Sequence, residues 1–166
     1  MLQHPRYTLN NIQVQAMLVS EMLSAGLVNC NLASSCKEEL FEEMVQMFVR
    51  EGLVPDRRAA VAALMEREAK MSTGISEGIA LPHGKLEGIK DAIVAIGISK
   101  EGIEYDALDG ELVQLVVMIL CEKTRPALHV ELLSEVSRLL SIPDFKERLL
   151  AAKDAEEVIE VIRSEE

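Results

Sequence analysis

Leu112-Val113-Gln114-Leu115-Val116-Val117-Met118-Ile119-Leu120 is a nearly unbroken apolar run broken only by Gln114, and Val113, Val116, Val117 and Ile119 are β-branched. A strand with one face in water alternates apolar and polar side chains. A run without that alternation reads as a strand covered on both faces, which happens when a sheet is sandwiched between layers of helix. Ala92 to Ile98 has the same character, and helical patterns fill the sequence on either side. An α/β layer architecture in one unit is the expectation.

On the C-terminal side, Thr124 and Pro126 open a helix that turns Leu128, Leu132, Leu133, Val136, Leu139 and Leu140 inward. Ile142-Pro143 breaks it, a short helix runs from Pro143 to about Ala152, and Asp154 with Glu157 caps a last helix. On the N-terminal side, Asp106-Ala107-Leu108-Asp109-Gly110 is turn chemistry and residues 72–78 form a loop. Pro55-Asp56 starts a helix with apolar Val61, Leu64 and Met65 that leads to Glu66-Arg67-Glu68. Ser35 followed by Glu38 forms a capping box ahead of the apolar face Leu40, Phe41, Met44, Val45 and Phe48, and Gly52 stops that helix. Leu27 to Leu32 alternates like a strand, Met17 to Leu23 is weakly helical, and residues 1–15 form a leader, leaving 16–166 as the domain.

A single domain of 166 residues buries roughly two thirds of the surface its unfolded chain exposes. Hydrophobic residues at 49% and charged residues at 27% exclude a disordered chain. Aromatic residues make up 3% and the formal net charge is −11, so base stacking and phosphate-backbone binding find little support and nucleic acid is not an expected partner. Cys30, Cys36 and Cys121 are odd in number and lack paired spacing, which reads as buried free thiols. The first residues carry no apolar stretch of secretory or membrane-spanning length, so the expectation is a cytoplasmic protein without direct membrane insertion.

Three motif readings fail on context. Gly74-Ile75-Ser76-Glu77-Gly78 has the spacing of a hydrolase nucleophile elbow, but the strand and helix that device needs come in reverse order. Gly78 to Lys85 has glycines one residue too far apart for a phosphate loop, and Leu86 stands where a magnesium-binding hydroxyl belongs. His4, His83 and His129 lack metal-ligand spacing with each other or with the cysteines, so neither a metal nor a cofactor is expected.

His83 lies between Pro82 and Gly84 after the apolar Ile79-Ala80-Leu81. Proline pushes Leu81 toward extended geometry, and the expectation is an imidazole held at the end of a strand with a bare neighbour, open to whatever approaches. A neutral imidazole near pH 7 is a competent nucleophile. Arg67 at a helix end, the Ser72-Thr73-Gly74 loop, and His129 in the first turn of the helix after the long strand would meet His83 along one rim of an open α/β sheet. The helix terminus beside His129 disfavours an imidazolium there and favours a neutral N–H donor.

The segment Arg67-Glu68-Ala69-Lys70-Met71-Ser72-Thr73-Gly74-Ile75-Ser76-Glu77-Gly78-Ile79-Ala80-Leu81-Pro82-His83-Gly84 resembles the active-site region of the type 2 enzyme IIA domains, the fructose- and mannitol-type phosphocarriers of the bacterial phosphotransferase system. Val28 to Gly52, the Asp106–Gly110 turn, and His129 with Leu132-Leu133 extend the resemblance over roughly residues 16 to 163. It implies a single three-layer α/β domain, with a central mixed β-sheet flanked by helices as in the mannitol-type fold. His83 would accept a phosphoryl group from the histidine-containing carrier HPr and pass it to an enzyme IIB partner on a separate chain. His129 would orient and stabilise that group and Arg67 would offset its charge, with Thr73 and the backbone at Gly84 as lesser contacts. A regulatory relative of the nitrogen-type branch would share the histidine chemistry and signal through protein binding. Where the family often has Gly-Asn or Gly-Glu before the loop glycine, this chain has Ser76-Glu77 ahead of Gly78.

Overall fold

The computed structural model describes residues 17–166, so the leader expected over residues 1–15 lies outside the described residues. Its sheet contains β1 (Val28–Asn29), β2 (Ile79–Ala80), β3 (His83–Leu86), β4 (Ala92–Ile103) and β5 (Val113–Glu122). The strands run in the order β1, β4, β5, and β2 and β3 follow one another along the outer side of β5. β4 and β5 are antiparallel, with Ala95 opposite Met118, and the other pairings are parallel, as in His83 opposite Ile119. The sheet is therefore mixed, as expected, and the run that suggested a doubly covered strand lies between two neighbours.

Side-chain alternation along β5 builds two cores. Val116, Met118 and Leu120 join Leu40, Phe41, Met44 and Phe48 of α1 (Lys37–Arg50) and Leu64 of α2 (Arg57–Lys70). Leu115, Val117 and Ile119 join Leu132, Val136 and Leu139 of α3 (Pro126–Leu140), Leu149 of α4 (Phe145–Ala151), and Val158 and Ile162 of α5 (Ala155–Ser164). Three layers result, with two helices on one face and three on the other. Each buried Leu, Ile or Phe contributes about 1.5–3 kcal/mol relative to exposure, so these two cores dominate stability.

Caps set the helix starts. The Asp56 Oδ1 accepts a hydrogen bond from Ala59 N at 3.0 Å, and Pro126 opens α3. Asp154 Oδ1 accepts from Glu157 N at 2.9 Å, the cap expected there, and Glu157 Oε2 accepts from Lys153 N, one residue before the cap, at 2.8 Å. The capping box expected between Ser35 and Glu38 does not form: Cys36 stands at the N-cap without a side-chain bond, and Glu39 Oε2 accepts from Ser35 N at 2.9 Å and from Ser35 Oγ at 3.1 Å. Backbone bonds from Glu104 N to Ser35 O (3.0 Å) and from Lys37 N to Glu104 O (3.1 Å) keep the chain extended through Cys36. The helix therefore begins one residue later than expected, at Lys37.

Near the start of the described chain, strand pairing covers only Val28 and Asn29 of the expected Leu27–Leu32. A 3-10 turn occupies Ala25–Leu27, and the Asn29 side chain folds back to accept from Asn31 N at 2.9 Å. The weak helical signal over Met17–Leu23 is one 3-10 turn at Ser20–Met22. That turn is clasped by the Glu166 carboxylate, which accepts from Val19 N and Ser20 Oγ, both at 2.5 Å. All three cysteines are free thiols, but only Cys121 is buried; Cys30 and Cys36 are half-buried.

The edge strand beside β5 is interrupted at Leu81-Pro82. The Pro82 carbonyl still accepts from Ile119 N at 3.0 Å, but proline has no N–H, and Leu81 N turns away to Thr73 O at 2.9 Å. His83 thus opens β3 instead of ending a strand, which corrects the sequence expectation. The apolar run before it contributes only Ile79–Ala80 to the sheet.

Candidate functional site

The interruption leaves the Leu81 carbonyl free of the ladder, and it lies 2.8 Å from His83 Nδ1. A carbonyl can only accept, so this contact places the ring proton on Nδ1 and leaves the lone pair on Nε2. Burial lowers the His83 pKa, the Leu81 hydrogen bond pushes it back up, and the positive charge of Arg67 lowers it further; the net shift is downward. At neutral pH the ring is uncharged with a defined nucleophilic nitrogen.

His129 arrives from the opposite helical layer, in the first turn of α3. Its ring centroid lies 5.5 Å from that of His83 with the planes inclined at 49°. The residue is 8% exposed, and its Nδ1 is buried without a hydrogen-bond partner. An orphaned buried N–H is rarer than an orphaned lone pair, so the ring proton belongs on Nε2, which makes that edge a donor. Burial is the largest cause of its lowered pKa, followed by the charges of His83, Lys85 and Arg67. Burial, rather than the helix terminus invoked from the sequence, is the main influence against an imidazolium at this position.

Arg67 stands in the last turn of α2, its Nη1 donating to the Met71 carbonyl at 3.0 Å. Together with His83 and His129 it lines a cleft of about 520 Å³, which Gly84, Lys70, Lys85 and Lys123 also line. The cleft has four basic side chains and one acid, Glu66, on a chain whose net charge is −11. The three lysines were not singled out in the sequence, although the signals existed. Strand alternation puts Lys85 on the His83 side of β3, and Lys70 lies one helical turn after Arg67.

The two remaining candidates have other surroundings. Thr73 is buried, and its hydroxyl is 2.5 Å from Glu68 Oε2 and 2.7 Å from the Tyr105 hydroxyl, so its polar group is turned into the fold. Gly84 is buried on the α2 side: a Cβ there would sit 3.3 Å from the Ala63 carbonyl and 3.4 Å from Leu64 N. Its bareness serves the close approach of α2 to β3, rather than access to the imidazole. The loop between them is tied to the Asp106–Gly110 turn by Leu108 N to Gly74 O at 3.0 Å and Glu77 N to Asp109 Oδ2 at 3.0 Å. Glu77 takes a left-handed φ of 54° in that loop.

A neutral, tautomer-fixed imidazole with an adjacent N–H donor and a ring of cations is equipped to carry a dianionic group. The sequence model of the family described as phosphoenolpyruvate-dependent sugar phosphotransferase system, EIIA 2, matches residues 21–165. The chain belongs to that family. This EIIA domain is 35% identical over 144 residues to the fructose-specific EIIA component of Haloferax volcanii, an alignment covering 87% of this chain and 94% of that protein. It is 36% identical over 146 residues to the fructose-specific EIIABC component of Bacillus subtilis, where the match covers 88% of this chain but 23% of the longer protein. Among solved structures, nitrogen regulatory protein IIA-Ntr from Neisseria meningitidis superimposes with a TM-score of 0.80 at 30% identity, covering 87% of this chain and 98% of that one. The mannitol IIA of Escherichia coli, at 23% identity and a TM-score of 0.72 over 84% of this chain and 98% of that one, shares the fold. Among the described residues no helix is long and apolar enough to cross a membrane.

Proposed function

We propose that this EIIA domain is a cytoplasmic phosphohistidine carrier that takes a phosphoryl group from an HPr-type protein onto His83 and delivers it to a IIB component. The observation that carries the reading is the 2.8 Å contact from His83 Nδ1 to the Leu81 carbonyl, which commits Nε2 to nucleophilic attack. Nε2 attacks the phosphorus in line as the donor's N–P bond breaks, and the donor imidazole leaves with that electron pair. Nδ1 keeps its proton, and the Leu81 carbonyl stabilises the positive charge that the ring acquires. A loose phosphoryl transition state asks mainly for positioning and for positive or N–H groups around three equatorial oxygens. Arg67 and His129, which line the same cleft as His83, would supply these, together with Lys85. Transfer onward reverses the same steps, and the open cleft suits a site used by two partners in turn.

The test is phosphorylation with enzyme I, HPr and labelled phosphoenolpyruvate. Label should appear on the wild-type protein, be acid-labile as a phosphoramidate is, and vanish in His83→Ala. Full labelling of His83→Ala would overturn the assignment. A second reading, a nitrogen-type regulatory IIA that signals by phosphorylation-dependent protein binding, is favoured by the similarity to IIA-Ntr. Chase of the label onto fructose-type IIB supports transport, and retention of the label with every IIB supports regulation.

A further inference from the structure

Glu68 is 7% exposed and stands directly after Arg67 in the last turn of α2, yet it faces away from the cleft into the fold. Its carboxylate gathers four groups from three residues. Oε1 accepts from Thr73 N at 2.9 Å and pairs with Lys37 Nζ at 3.2 Å, while Oε2 accepts from Thr73 Oγ1 at 2.5 Å and from the Tyr105 hydroxyl at 3.3 Å. Lys37 opens α1 and lies 4.9 Å from the Tyr105 ring centroid; Tyr105 follows β4. A buried carboxylate is costly unless paired and hydrogen-bonded, and here both oxygens are fully engaged.

The contacts continue beyond Thr73. Its carbonyl accepts from Leu81 N at 2.9 Å, and the Leu81 carbonyl is the acceptor 2.8 Å from His83 Nδ1. We infer that Glu68 is a positioning residue for the phosphoryl-accepting imidazole: by fixing Thr73 it fixes Leu81, and Leu81 in turn fixes the tautomer and tilt of His83. The same carboxylate anchors the end of α2 from which Arg67 projects, so one buried group sets the nucleophile and the cation relative to each other. Thr73, read from sequence as a contact to phosphate, is the middle of this chain of contacts. The inference rests on His83 being the accepting residue, but its first readout requires no phosphoryl donor.

Two substitutions separate reach from charge. Glu68→Asp keeps the charge facing Lys37 but withdraws the carboxylate from Thr73 by one methylene. Glu68→Gln loses the charge but keeps an oxygen within reach of Thr73 N. Nitrogen-15 NMR of the His83 ring in the free protein should show the Nδ1–H tautomer in the wild type, the same tautomer in Glu68→Gln, and a mixture enriched in Nε2–H in Glu68→Asp. Phosphorylation by HPr should follow that order, with Glu68→Asp slower by about 10²-fold, the scale of loss expected from roughly 1 Å of misplacement. Where Glu68→Asp folds poorly, as judged by circular dichroism, Thr73→Val serves in its place, since it keeps the β-branched shape and the backbone N–H and removes the hydroxyl that Oε2 accepts and that meets Tyr105. A wild-type tautomer in the folded variant, or an Asp variant faster than the Gln variant, overturns the proposal. If the wild type takes no label while the tautomer still follows Glu68, the carrier function fails and the positioning role stands.

Discussion

The rings of His83 and His129 lie with centroids 5.5 Å apart and planes inclined at 49°, although one residue sits on the edge strand and the other on a helix packed over the opposite face from α2. At that spacing there is no room for a phosphoryl group directly between stacked faces. In the proposed carrier, His129 would donate its Nε2–H to an oxygen of the group carried by Nε2 of His83.

His129→Ala should therefore remain phosphorylatable but accept label about 10²–10³-fold more slowly, the loss typical of removing one donor that stabilises developing charge. Rapid-quench labelling at saturating HPr checks this. An unchanged rate would remove His129 from the chemistry.

Both histidines have depressed pKa values, which fixes the sign of a pH effect on stability. The folded protein binds fewer protons than the unfolded chain, so the stabilising contribution is fully present above the unfolded value of about 6.5 and is lost as pH falls through it toward the folded values. Urea midpoints measured at pH 7.5 and 5.5 should fall at the lower pH, and the drop should be smaller in His83→Gln and His129→Gln than in the wild type.

Gly84→Ala places a methyl group 3.3 Å from the Ala63 carbonyl, tighter than ordinary packing, and α2 must move to admit it. The expected cost is about 1–3 kcal/mol in unfolding free energy, together with slower labelling because Arg67 travels with α2. Loss of stability without loss of rate would show that α2 yields elsewhere than at its final turn.

Asp154→Ala removes the cap of α5, on the face of the sheet away from α2, and should cost about 1 kcal/mol while leaving the labelling rate unchanged. Thermal melts alongside the phosphorylation assay would show whether stability and activity separate as expected.

The layered fold was legible because Leu112 to Leu120 lacks alternation, and a strand of that kind needs helices on both faces. The convergence of Arg67, His83 and His129 was legible through the resemblance and the usual placement of sites at strand ends. What sequence could not give was which side of each residue faces where. Thr73 and Glu68 differ from cleft residues only in the direction of their side chains, which the contacts with Lys37 and Tyr105 decide. The break at Leu81-Pro82 was hidden for a related reason. Proline signals a missing N–H, but only the position of Thr73 shows where Leu81 turns its own.

The clasp of Glu166 on Val19 and Ser20 brings the two limits of the described fold into contact. Sequence attached at either limit would enter and leave by a single doorway, and the domain could be carried within a larger polypeptide without its layers being prised apart. A circular permutant that joins residue 166 to residue 17 through a short glycine linker and opens the chain at Gly88, in the turn after β3, should still fold and still present His83 to its donor.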